Sequence, residues 1–130
     1  MMDYTTTKKV IAVGFHMGDR VYFDGNPKSY KDYWSVAYVN EMQDVMGEHF
    51  LDLNTIGRAN ALSLLIESGA YLNGTTELTD RDQEAVDAGF WPQAWASSNS
   101  FYNVHLNSYG SKAMAILVKR KMAELGYLEY

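Results

Sequence analysis

Only two segments of this chain carry the pattern of a buried β-strand, and that scarcity constrains the fold more than any motif does. The first is Val10-Ile11-Ala12-Val13, which follows Lys8-Lys9 and ends at Gly14. A short continuous apolar run of this kind is expected of a strand covered on both faces, as in a parallel sheet. The second is His49-Phe50-Leu51-Asp52-Leu53. Between them, Ser29 and Asp32 have capping-box spacing, and Tyr30, Trp34, Ala37, Tyr38, Met42 and Val45 fall near one helical stripe that stops at Gly47. After the second strand, Asn54 is placed to cap a helix bearing Ile56, Ala59, Leu62, Leu65 and Ile66, with Gly69 as its stop. Strand, helix, strand, helix predicts a parallel pair joined by a right-handed crossover. Two strands alone leave unpaired backbone along their outer edges. Further strands are therefore expected from a missing N-terminal half of the domain or from another copy of the chain.

The remaining third is organised differently. Residues 69–104 read as a long excursion: Asn73-Gly74 marks a turn, a short helix is capped by Thr79 with Asp82 and ends at Gly89, and Phe90-Trp91-Pro92 and Trp95 follow. Asn107 then caps a last helix in which Met114, Leu117, Val118, Met122 and Leu125 form the apolar stripe. Its late cations, Lys119, Arg120 and Lys121, suit the negative end of the helix dipole, and Gly126 ends it. No repeat or linker divides the chain, so residues 1–130 are expected to form a single domain.

Composition narrows the function classes. With 47% hydrophobic and 21% charged residues, a folded core is expected and low complexity is excluded. A net charge of −5 with scattered cations argues against a nucleic-acid partner. No apolar run approaches the roughly 18 residues that span a bilayer, so no membrane partner is expected. The absence of cysteine removes thiolate chemistry and disulfides, and His16, His49 and His105 are far apart in sequence, so no metal and no other cofactor is expected.

The most specific stretch is Tyr102-Asn103-Val104-His105-Leu106-Asn107, with Tyr109-Gly110 and an amphipathic helix behind it. It resembles the last sequence block of the SGNH (GDSL) hydrolase family, an Asp-x-x-His followed by Leu-Asn and a glycine before the C-terminal helix. The two strand segments agree in order with that family's second half, and the resemblance covers roughly residues 8–127. It implies an α/β fold, the three-layer flavodoxin-like arrangement in partial form, with a short parallel sheet flanked by helices. It also implies that His105 is the general base that takes the proton of a serine nucleophile.

The chain departs from the family at three points. It contains no Gly-Asp-Ser block, because Arg20 follows Gly18-Asp19, and a guanidinium cannot serve as an acyl-accepting nucleophile. It contains no Gly-x-Asn-Asp block to supply oxyanion donors. Tyr102 stands where the family has the aspartate, and a neutral phenol stabilises an imidazolium less than a carboxylate does.

Each candidate residue carries an ordinary structural role beside the chemical one. His105 is the expected catalytic residue, against a polar residue that merely bonds to a loop. His16, just past the first strand, and Tyr102, Trp91 and Trp95 are candidate substrate contacts. The aromatic residues, with Tyr71 and Phe90, form either a platform for a sugar or acyl chain or a set of pins holding the long loop to the domain. His49 reads as a surface residue before a strand, and Asp52 as a helix-start residue at a strand end. The expected function is the C-terminal part of an SGNH-type ester hydrolase acting on acyl or acetyl esters, including those of carbohydrates, and inactive without its N-terminal half. The alternatives are an inactive SGNH-like binding or structural module, as in a phage tail or extracellular assembly, or a complete small α/β protein in which the likeness is a remnant.

Overall fold

The apolar runs at residues 10–14 and 49–53 do pair, and they pair in parallel. In the computed structural model, which describes residues 9–14, 39–97 and 105–128, β1 (Ala12–Val13) lies beside β2 (Phe50–Leu51), with Ala12 opposite Phe50 and Val13 opposite Leu51. The Gly14 N–H donates to the Leu51 carbonyl at 2.9 Å and extends the ladder by one bond. Both strands are shorter than their apolar runs because neighbouring groups are claimed elsewhere. Val10 is held by the hydroxyl of Tyr127, His49 closes a 3-10 turn over Gly47–His49, and Asp52 caps the next helix. β2 is buried on both faces; β1 is not, since Val13 is 42% exposed. The expectation of full burial holds for one strand only.

Helix α1 (Val39–Met46) precedes β2, and the expected start of this helix at Ser29 lies outside the described residues. Its buried edge is Met42 and Met46, four residues apart, while Val45 points outward against expectation. Beyond β2 the expected single helix is two: α2 (Leu53–Ala59) and α3 (Ala61–Glu67), divided at Asn60, whose φ and ψ of −117° and 26° depart from helical values. The cap is Asp52, whose Oδ1 accepts from the Thr55 N–H at 3.3 Å, and not Asn54. Asn54 is buried one step inside the helix, where its amide donates to the Gly89 carbonyl at 3.0 Å and its Oδ1 accepts from Arg58 Nε at 3.0 Å. The apolar stripe is correspondingly rotated: Leu53, Gly57, Ala61, Leu64 and Leu65 face inward, and Ala59 is exposed.

Helix α4 (Asp80–Asp87) starts as expected, with Thr79 Oγ1 accepting from the Asp82 N–H at 3.2 Å. A 3-10 turn at Gln93–Trp95 leads to an isolated antiparallel bridge between Ala96 and Leu106, which the sequence patterns did not suggest. The last helix, α5 (Ser108–Glu124), is capped by Asn107, whose Oδ1 accepts from the Gly110 N–H at 2.9 Å. The described residues thus form a mixed α/β structure of five α-helices and a two-stranded parallel sheet.

The core gathers Leu51, Leu53, Leu64, Leu65 and Leu117 around two indoles, Trp91 and Trp95, whose ring centroids are 4.8 Å apart. Close packing at the indoles selects two glycines. A Cβ on Gly57 would fall inside the Trp91 ring, and one on Gly110 would come 2.5 Å from the Trp95 carbonyl oxygen. Helices α2 and α5 reach the tryptophans only because those positions have no side chain.

Candidate functional site

Two sets of contacts fix the direction of α5 relative to the sheet. At its far end, the Tyr127 hydroxyl lies 2.9 Å from His49 Nδ1 and 3.3 Å from the Val10 carbonyl, so this end stands where both strands begin. At its near end, Asn107 N–H donates to the Trp95 carbonyl at 2.8 Å, Trp95 packs on Trp91, and Trp91 Nε1 donates at 2.9 Å to the carbonyl of Leu53, just past the end of β2. Helix α5 therefore runs antiparallel to β1 and β2. Its N-terminus, with His105 immediately before it, stands at the side onto which the strands run out. In open α/β sheets this is the side where ligands bind.

The main chain at His105 is clamped on both sides. Its carbonyl accepts from the Ser97 N–H at 2.8 Å, and Leu106 forms the bridge with Ala96. The Asn107 amide donates to the carbonyls of Ala94 at 2.8 Å and Ala96 at 3.1 Å, while its oxygen caps α5. One side chain thus ties the start of the helix to the 3-10 turn. His105 itself is exposed, so a fixed backbone presents an imidazole at the surface.

Trp91 and Trp95 do not contribute to a ligand platform. They are 1% and 0% exposed, and both indole N–H groups are satisfied inside the protein, Trp91 by Leu53 and Trp95 by Ser68 Oγ at 3.0 Å. Of their two expected roles, ligand contact is corrected and pinning the loop is observed: their rings form the floor beneath the His105 segment. His16 and Tyr102 lie outside the described residues.

Tyr71 belongs to a bracket around Asp82, away from any platform. Its hydroxyl donates to Asp82 Oδ2 at 2.5 Å, and Asp82 Oδ1 accepts from the Ala94 N–H at 3.1 Å. Burial, and then the hydrogen bond to Asp82, raise the phenol above its ordinary value. The bracket ties α4 to the 3-10 turn, and through Ala94 to Asn107. Asp52 has the helix-start role expected of it.

His49 is more than a surface residue. It is half-buried, its ring stacks on Tyr127 with centroids 6.3 Å apart, and Nδ1 lies 3.1 Å from the Val10 carbonyl. No local pattern signals a partner 78 positions away.

A cleft of about 240 Å³ lies between α2 and the later half of α5, lined by Leu51, Ile56, Asn60, Leu117, Arg120, Lys121 and Glu124. His105 is not part of it. At ~1.5 Å of rise per residue, the two are separated by roughly 20 Å along the helix. Among the described residues no three His, Asp or Glu side chains come together as metal ligands, and no helix is long and apolar enough to cross a membrane. Comparison with protein-family models, with characterised proteins and with solved structures returns no match.

Proposed function

We propose that this chain is the C-terminal part of an SGNH-type ester hydrolase, in a partial flavodoxin-like fold, and that it contributes His105 as general base. The observation that carries the reading is the presentation of His105: an exposed imidazole on a backbone clamped by Ser97, Ala96 and Asn107, at the side where the parallel strands end. A base held this way is preorganised, because its placement does not have to be fixed during the reaction. A completing N-terminal half supplies the serine and the oxyanion donors. The serine hydroxyl loses its proton to His105 as its oxygen attacks the ester carbonyl. His105 returns that proton to the departing alcohol, and water then releases the acid from the acyl-enzyme by the same relay. The substrates are acyl or acetyl esters, including those carried on carbohydrate.

The test is turnover of p-nitrophenyl acetate by a protein that joins this chain to a segment bearing a Gly-Asp-Ser block. His105→Ala is expected to lower kcat by about 10²- to 10⁴-fold; an unchanged rate rejects the assignment. The second reading, a non-catalytic binding module, is favoured by Tyr102 in the place of the aspartate. Carbohydrate binding by the same joined protein, with no turnover and no sensitivity to His105→Ala, identifies that case.

A further inference from the structure

The cleft between α2 and α5 has a composition that specifies a ligand. Its floor is aliphatic, made by Leu51, Ile56 and Leu117, and its rim carries Arg120, Lys121 and Glu124. The side chain of Lys121 is only 11% exposed, yet its ammonium has a single charged neighbour, Glu124 Oε1, at 3.6 Å, beyond hydrogen-bonding range. Among the described residues no group accepts a hydrogen bond from it. Glu124 is itself 68% exposed and hydrated. An ammonium removed from water without an acceptor is unfavourable, and an anion entering beside it would restore the missing bond.

The same residues limit which anion fits. Arg120 is already paired, its Nη2 lying 2.8 and 2.6 Å from the two oxygens of Glu67, so the cleft offers one uncompensated cation and not two. A monoanion matches that charge; a phosphate dianion exceeds it, with Glu124 close by. The volume is below the 300–1,000 Å³ typical of sites for drug-sized molecules, so the ligand is small. The apolar floor calls for a short hydrocarbon tail.

We propose that this cleft binds a short-chain aliphatic carboxylate, with Lys121 donating to the carboxylate and Leu51, Ile56 and Leu117 receiving the tail. The site is separate from His105 and stands whether or not the chain is part of an esterase.

The experiment is an NMR titration of the ¹⁵N-labelled chain with sodium butyrate, acetate and inorganic phosphate at pH 7, with ionic strength held constant by chloride. Butyrate is expected to saturate shifts in α2 and the later half of α5, with acetate weaker by roughly fourfold for each methylene lost from the apolar floor. Lys121→Met keeps the aliphatic stem, removes the charge, and should weaken butyrate at least tenfold. Glu124→Gln removes the competing carboxylate at an exposed position and should tighten butyrate several-fold. Absence of saturation, equal binding by Lys121→Met, or phosphate binding as tightly as butyrate would each overturn the proposal.

Discussion

The indole N–H of Trp95 donates to the hydroxyl of Ser68 at 3.0 Å, and neither residue has more than 1% of its surface exposed. Ser68 passes its own proton to the Leu65 carbonyl at 3.2 Å, so the hydroxyl links the end of α3 to the ring beneath the His105 segment. Ser68→Ala strands a buried donor and should cost about 1–3 kcal/mol in urea unfolding. In a Trp95→Phe background the same substitution should cost clearly less. Equal costs in both backgrounds would mean that the bond is not the source of the loss.

Asn107 combines a helix cap with two bonds to the 3-10 turn, and its two variants should separate these roles. Asn107→Asp keeps an acceptor for the Gly110 N–H and loses the donors to Ala94 and Ala96. Asn107→Ala loses all three and should be the more destabilising, by about 1 kcal/mol for the cap alone. Both should speed hydrogen exchange at the Ser97 amide, which closes the clamp on His105. Unchanged exchange there would remove Asn107 from the clamp.

The raised phenol of Tyr71 makes a pH-dependent contribution whose direction is set by the neutral form. Its hydrogen bond to Asp82 is fully present in the folded protein below pH 10.0, the ordinary value of the group. Above that pH the unfolded chain loses the proton first, so the contribution declines as pH rises toward and through the folded value. The stability difference between the protein and Tyr71→Phe should therefore be constant from pH 7 to 9 and shrink above 10. A difference that grows with alkaline pH would reverse the assignment.

Gly57 has no room for a side chain, since a Cβ would enter the Trp91 indole. Gly57→Ala should destabilise by about 1–3 kcal/mol, although alanine is the better helix former by about 1 kcal/mol. Intrinsic tryptophan fluorescence should shift as Trp91 is displaced from the Leu53 carbonyl. A more stable variant would show that helix propensity outweighs the contact.

What the sequence revealed of the fold was what local chemistry decides. The parallel pairing follows from two apolar runs separated by helical pattern, and the caps at Thr79 and Asn107 follow from short polar side chains three residues before an N–H they can reach. Asp52 and Asn54 are both good caps by residue type. The choice between them depends on where β2 ends and on Gly89, 35 residues from Asn54, which takes its amide. The orientation of Val45 and the break at Asn60 depend equally on packing.

The candidate site was legible in part for the same reason. His105 was readable because its neighbours in sequence carry the pattern, and Asn107 serves as both cap and clamp there. Trp91 and Trp95 have the same local appearance whether a ring faces a ligand or the core, and only the carbonyl of Leu53 and the hydroxyl of Ser68 decide it. His49 has its partners at Val10 and Tyr127, and the Lys121 cleft is formed by three elements, so neither leaves a trace in any window of the sequence.

The hydroxyl of Tyr127 fastens to Val10 across 117 positions. A nascent chain emerging from the ribosome has synthesised and exposed β1 long before this clasp exists, so the first strand waits for nearly the last residue made. Pairings this distant in sequence carry a large loop-closure entropy and slow the final step of folding. Any shortening of the C-terminus past Tyr127 should therefore be felt first at the opposite end of the polypeptide, as a loosened start to the sheet.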